Sequence, residues 1–401
     1  MREYVLVFLV ALVTTYLLTV IAREIALRTG AVAAVRDRDV HAEPIPYLGG
    51  LAMLGGLVAA YLVARELPFL SRSDGLVLPD ARNVIIAGGL ICALGVLDDV
   101  FDLDALTKFG WQVLVTGFLV YLGVRFYWFP GTGGTQIALD DAQGALLTLV
   151  LVIGTINAVN FVDGLDGLAA GVVGIGAVAF FLFCYIQSST NELTLATTGA
   201  LLSAALAGAC AGFLPHNFHP ARLFMGDSGS MLLGLVLSAS VLTMSGQFPI
   251  SDLSGAGNSF FVTVLPVMLP VSLLMVPMAD LVLAVVRRTR AGRSPFSPDK
   301  QHLHHRLLEI GHSQRRAVFI MWMWAGLLAC GAVLLSLFNG GAVWTGLGAG
   351  FVFTLAMTFV LPVVNRPPKT GLGNTGLPEN AAVEAPAPPP DGEGTTPGIV
   401  P

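Results

Sequence analysis

Aspartates beside glycine and asparagine carry most of the potential chemistry in this sequence. Asp98 and Asp99 adjoin, with Asp102 three positions on. Asn157, Asn160, Asp163 and Asp166 recur at three-residue spacing within Asn-Ala-Val-Asn-Phe-Val-Asp-Gly-Leu-Asp-Gly-Leu, and Asp227 sits in Phe-Met-Gly-Asp-Ser-Gly-Ser at 224–230. Carboxylates drawn together without a cation repel one another and raise their own pKa values. A hard divalent ion removes that difficulty, and oxygen donors without clustered thiols suit Mg²⁺ or Mn²⁺. Mg²⁺ typically takes one or two carboxylates plus substrate phosphates, so not every aspartate here need be a ligand.

The opposite charge is supplied by Lys108 and by a basic stretch holding His302, His304, His305 and Arg306 in His-Leu-His-His-Arg. Such groups can receive a diphosphate. Glycines beside Asp163, Asp166 and Asp227 allow close backbone approach. Acid and metal on one side with base on the other fit phosphoryl transfer. Each cluster also has an ordinary use. Asp98-Asp99 reads equally as a solvated helix end, Asp163 and Asp166 as turn residues, Asp227 as a helix N-cap, and the histidines as an exposed polar face.

The elements that must position these groups are transmembrane helices. Of the 401 residues, 55% are apolar and only 12% charged, about half the charge of a soluble domain. Apolar runs at 4–22, 47–64, 84–97, 109–127, 143–159, 168–186, 196–214, 229–245, 259–285, 318–337 and 342–363 give about eleven spans, an all-α polytopic membrane protein. Prolines at 266, 270 and 277 predict a kink or break in the ninth. The first run exceeds a signal-peptide core and reads as an uncleaved helix. Cys92, Cys184, Cys210 and Cys330 all lie within apolar runs and suggest neither a disulfide framework nor a zinc site. With eleven spans, sixteen of the 21 Lys and Arg fall on odd-numbered loops and the C-terminal tail. The positive-inside rule makes that side cytoplasmic and puts the N-terminus outside. The same loops hold all the clusters above, so the spacing predicts one composite site on the cytoplasmic face. Residues 1–365 form the transmembrane domain. Residues 366–401, rich in Pro, Gly and Ala, predict a disordered tail.

Four motifs in order, at 98–102, 157–168, 224–230 and 302–306, make the chain resemble the polyprenyl-phosphate N-acetylhexosamine-1-phosphate transferases of bacterial plasma membranes, the WecA and TagO branch more than the MraY branch. The resemblance spans roughly Ala22 to Ala317. It implies attack of a lipid phosphate on the β-phosphorus of a UDP-N-acetylhexosamine, assisted by Mg²⁺, giving lipid-diphosphate-sugar and UMP. By matching positions, it implies Asp227 as metal ligand with Asn160 in support, and Asp98 and Asp99 as the catalytic pair nearest the lipid phosphate. It implies Lys108, Asp163, Asp166, His302, His304, His305 and Arg306 as substrate contacts. The branch points to UDP-N-acetylglucosamine as donor and to undecaprenyl or decaprenyl phosphate as acceptor. Membrane lipids are the expected surroundings, a homodimer is compatible with the family, and no nucleic acid partner is expected. One departure stands at Tyr47, where many relatives carry a basic residue. Two other readings remain at this point: the MraY-type reaction on a muramyl-pentapeptide donor, and a transporter of nucleotide sugars or polyprenyl lipids. A transporter is expected to place polar groups deep in paired broken helices, for which Asp280 and the ninth-span prolines are the best support.

Overall fold

The computed structural model describes residues 1–30, 45–73, 75–130, 136–190, 196–245, 289–290, 307, 311–338 and 340–359. In chain order the described elements are α1 (Arg2–Thr29), α2 (Gly49–Glu66), α3 (Pro68–Arg72), α4 (Val77–Phe101), α5 (Ala105–Tyr121), β1 (Trp128–Pro130), β2 (Gln136–Ala138), α6 (Asp141–Val162), α7 (Leu168–Thr190), α8 (Ala196–Asn217), α9 (Gly226–Ser245), α10 (Gln314–Leu337) and α11 (Gly341–Phe359). Among the described residues, nine helices are long and apolar enough to cross a membrane. The all-α, multi-pass architecture read from the sequence therefore holds. The run expected at 259–285 and the tail from 366 lie outside the described residues.

Several expected spans have moved boundaries, and two of these shifts bear on the site. The short run at 84–97 belongs to a helix of 25 residues, extended at both ends to include Asp98 and Asp99. The run at 109–127 begins earlier, at Ala105, because Asp104 caps it by accepting the N–H of Thr107 at 2.7 Å. It ends at Tyr121, just before Gly123 with φ 94°. Its 17 residues reach about 25 Å, short for a span.

Packing is graded from centre to rim. Nearly every residue of α8 and most of α9 are buried, whereas α11 buries only Thr354 and Thr358. The central helices are built from small residues, which allows close approach where lipid supplies no hydrophobic drive. A Cβ on Gly212 would strike the α1 backbone at Leu12. α1 packs on α2 and α8, α7 on α8 and α10, and α4 and α6 on α9.

The two ends of the bundle use their polar groups differently. At the end holding the α1 N-terminus, charges hold local structure. Glu3 caps α3 through the N–H groups of Phe69 and Leu70, Asp140 and Gln143 form a capping box on α6, and Arg125 pairs with Asp141 at 2.7 Å. β1 and β2 form a short antiparallel hairpin there, between α5 and α6. The other end gathers the C-termini of α4 and α6 with the N-termini of α5 and α9, and there the aspartates meet.

Candidate active site

The three acids of Asp98-Asp99-x-x-Asp102 serve three purposes. Asp102 terminates α4 in the left-handed region at φ 51°, its N–H returning to the Asp98 carbonyl. Only Leu103 and the cap Asp104 then separate it from α5. This tight turn brings Lys108, one turn into α5, back onto the buried Asp98 as an ion pair. Asp98 also accepts the N–H of Leu103 at 3.1 Å.

Asp99 reaches across to α9. Its Oδ1 accepts the backbone N–H of Asp227 at 2.8 Å and its Oδ2 that of Ser228 at 3.2 Å. These N–H groups lack intrahelical partners, so Asp99 caps α9 from another helix. Asp227 does not cap its own helix, which leaves its carboxylate available to face the site. Its Oδ2 accepts from Lys108 Nζ at 2.7 Å and its Oδ1 from Asn160 Nδ2 at 2.9 Å. Asn160 Nδ2 also lies 2.9 Å from Ser230 Oγ.

Close backbone contact holds this junction. Gly226 has φ +70°, with the Asp99 carboxylate where a Cβ would stand. A side chain on Gly95 would overlap the backbone of Asp227 and Ser228. The segment before α2 also docks here: Phe224 donates to Pro46, and Gly49 and Gly50 donate to Phe224 and Met225, all at 2.9–3.1 Å. Tyr47 is thereby placed within the field of Asp99. Desolvation and that carboxylate raise its phenol pKa.

The other expected contacts divide. Asp163 ends α6, and withdrawal from water, then the fields of Asp227, Asp99 and Asp166, push its carboxyl up to about 8. Asp166 is almost wholly buried and organises the following loop: its Oδ2 is hydrogen-bonded to His219 Nδ1 at 2.9 Å and accepts the Ala221 N–H at 3.1 Å. Asn217 fastens the same loop by accepting the Gly167 N–H and donating to the Leu223 carbonyl. Arg23 and Arg315 clasp it through the carbonyls of Arg222 and His219. His302, His304, His305 and Arg306 lie outside the described residues. Gln112, absent from every motif, accepts from Asn157 Nδ2 at 2.7 Å directly below the site. Its four-residue spacing from Lys108 on an otherwise apolar helix was the available signal.

Comparison with known proteins follows the same map. A model described as glycosyl transferase family 4 matches residues 82–245, which hold Asp98, Asp99, Lys108, Asn160, Asp163, Asp166 and Asp227. The chain is 47% identical over 372 residues to the decaprenyl-phosphate N-acetylglucosaminephosphotransferase of Mycolicibacterium smegmatis, covering 92% of this chain and 90% of that one. The chain belongs to this family. It is also 49% identical over 343 residues to the Mycobacterium tuberculosis H37Rv protein of the same name, covering 84% of each. With the probable undecaprenyl-phosphate N-acetylglucosaminyl 1-phosphate transferase of Bacillus subtilis it shares 32% over 377 residues, 93% of this chain and 94% of the other.

The donor set suits the divalent ion expected for the family. Among the described residues no group of three or more His, Cys, Asp or Glu converges on a metal position. Two carboxylates do converge, Asp98 and Asp227, and both hold the Lys108 ammonium between them. That ammonium marks a place where positive charge is stabilised. Two carboxylates fit the sparse protein ligation of Mg²⁺, which leaves positions for water and phosphate.

Proposed function

We propose that this chain transfers N-acetylglucosamine-1-phosphate from UDP-N-acetylglucosamine to a polyprenyl phosphate, yielding polyprenyl-diphosphate-N-acetylglucosamine and UMP. The observation that carries the reading is the convergence of Asp98, Lys108, Asn160 and Asp227 at one end of the bundle, inside the family match. The relatives that share nearly half of their residues with this chain are named for decaprenyl phosphate, which favours that acceptor. Their names favour an N-acetylglucosamine donor over a muramyl-pentapeptide. Among the described residues the charged groups gather at helix ends and not at mid-membrane, which favours interfacial chemistry over transport, and Asp280 lies outside the described residues. The basic bias of the loops at this end supports a cytoplasmic site, where nucleotide sugars are available.

A phosphate monoester has a second pKa near 6, so the lipid phosphate is largely dianionic at neutral pH and needs no general base. Its oxygen attacks the β-phosphorus of the donor, and the bond from that phosphorus to the bridging oxygen breaks as UMP leaves. Lys108 supplies positive charge to the phosphates and Asp98 fixes the ammonium. Asp227 and Asp98 would hold Mg²⁺ or Mn²⁺, with Asn160 orienting Asp227. A bound divalent ion supplies charge neutralisation at the diphosphate. Asp163, and the histidines and Arg306 of 302–306, are proposed donor contacts. Asp166 supports the site through the His219 loop. This is a single displacement, and a phosphosugar trapped on Asp98 would contradict it.

The test uses purified protein in lipid with decaprenyl phosphate, Mg²⁺ and UDP-N-acetylglucosamine labelled in the sugar. Label entering the lipid phase, absent when the metal is chelated, is the expected result. Transfer from the pentapeptide donor alone would assign the other branch, and silence with both donors would overturn the reading.

A further inference from the structure

Beneath the ring of Lys108, Asn160 and Asp227 lies a second ring on the same three helices. Gln112 is one turn beyond Lys108 on α5, Met231 one turn beyond Asp227 on α9, and Asn157 three residues before Asn160 on α6. Gln112 is buried, 1% exposed. Its Oε1 accepts from Asn157 Nδ2 at 2.7 Å, and its Nε2 lies 4.0 Å from Met231 Sδ. Asn157 stands at the edge of the bundle and also donates to the Ile153 carbonyl at 2.8 Å.

α5 needs such a tie. Of its 17 residues only Gln112, Val115, Thr116 and Leu119 are buried, while Phe109, Trp111, Leu114 and Tyr121 face outward. Apolar packing alone would fix its rotation and register weakly, because lipid is as apolar as the neighbouring helices. A directional amide bond does fix them. An unpaired amide in hydrocarbon is costly, so the bond resists slippage.

We propose that Gln112 and Asn157 form an amide latch that positions Lys108 against Asp98 and Asp227. Gln112 acts through Lys108 and not on substrate, so it is a positioning residue. Its kinetic consequence rests on the proposed transfer reaction, whereas its effect on cation binding does not. While latched, Lys108 competes with a divalent ion for the oxygens of Asp98 and Asp227. Released, it competes less well.

The experiment is a double-mutant cycle on the full chain in nanodiscs, with Mn²⁺ affinity read by electron paramagnetic resonance and transfer read by steady-state kinetics. Gln112→Leu is expected to tighten Mn²⁺ about threefold or more and to lower kcat about tenfold with donor KM changed less than about twofold. In a Lys108→Met background Gln112→Leu should do nothing further to Mn²⁺ affinity. The exchanged pair Gln112→Asn with Asn157→Gln keeps two amides facing each other and should recover most of the wild-type behaviour, which a merely space-filling role would not need. Equal effects of Gln112→Leu with and without Lys108, or no effect on Mn²⁺, overturns the latch. If Gln112→Leu fails to fold, Asn157→Leu, which removes the same bond from its exposed side, decides: Mn²⁺ tightened about threefold or more supports the latch, and wild-type affinity contradicts it. If wild-type protein shows no transfer, the proposed function falls while the Mn²⁺ arm still judges the latch.

Discussion

Asp98 and Asp99 are neighbours with different surroundings. Asp98 holds an ammonium at the site, while Asp99 holds two helix-end N–H groups. Asp99→Ala is therefore expected to cost about 1–2 kcal/mol of stability, as loss of an N-cap does. Asp99→Asn should cost less, since its amide oxygen can still accept one of the two bonds. Thermal unfolding in detergent checks this, and equal stability of Asp99→Ala and wild type would remove the capping role. Asp163 is one source of pH dependence at the site. Its carboxyl, pushed up to about 8, keeps a proton at neutral pH in the cation-free site. Cation binding displaces that proton, because positive charge favours the ionised form. The Mg²⁺ needed for half-maximal transfer should thus fall as pH rises from 6 toward about 8 and then level off, and Asp163→Asn should flatten the slope. The motifs identified these residues in the sequence, but not which acid does what. Helix-end capping from another helix depends on a contact 128 positions away, which spacing does not reveal.

Helix α9 presents its N-terminus between α2 and α4 with no room for side chains at the contact. Gly95 meets the backbone at Asp227 and Ser228, and Gly50 meets Ser228 and Gly229. Gly95→Ala should push α4 and α9 apart, costing roughly 1–3 kcal/mol, as overpacking does. It should also lower transfer more than a lipid-facing control such as Gly89→Ala, where a Cβ meets nothing within 4 Å. Parallel measurement of unfolding and activity tests this, and indistinguishable variants would contradict it. Spans were legible because hydropathy is set by composition. Their ends were less so, since α4 carries charged residues within its last turn and α5 starts at Ala105, four residues before the apolar run and behind the cap Asp104. The β1–β2 hairpin has too little alternating pattern to be read from six residues.

The two ends of the helix bundle are used differently. Acidic groups at one end cap helices and pair locally, while at the other Asp99 and Asp104 cap helices too, and Asp98 and Asp227 converge with a lysine and an asparagine inside the family match. A site at the membrane surface can admit a lipid acceptor laterally and a nucleotide donor from water, which is the arrangement that the proposed reaction requires. That reaction is defined by which bond breaks in the donor. The measurement is to supply UDP-N-acetylglucosamine carrying ³²P only in the β-phosphate, with decaprenyl phosphate and Mg²⁺, to wild type and Asp227→Asn. The expected result is ³²P in the lipid product, unlabelled UMP released in equal amount, and at least roughly 100-fold slower transfer in Asp227→Asn. Label released as UDP while the sugar alone enters lipid, or transfer undiminished in Asp227→Asn, would contradict it.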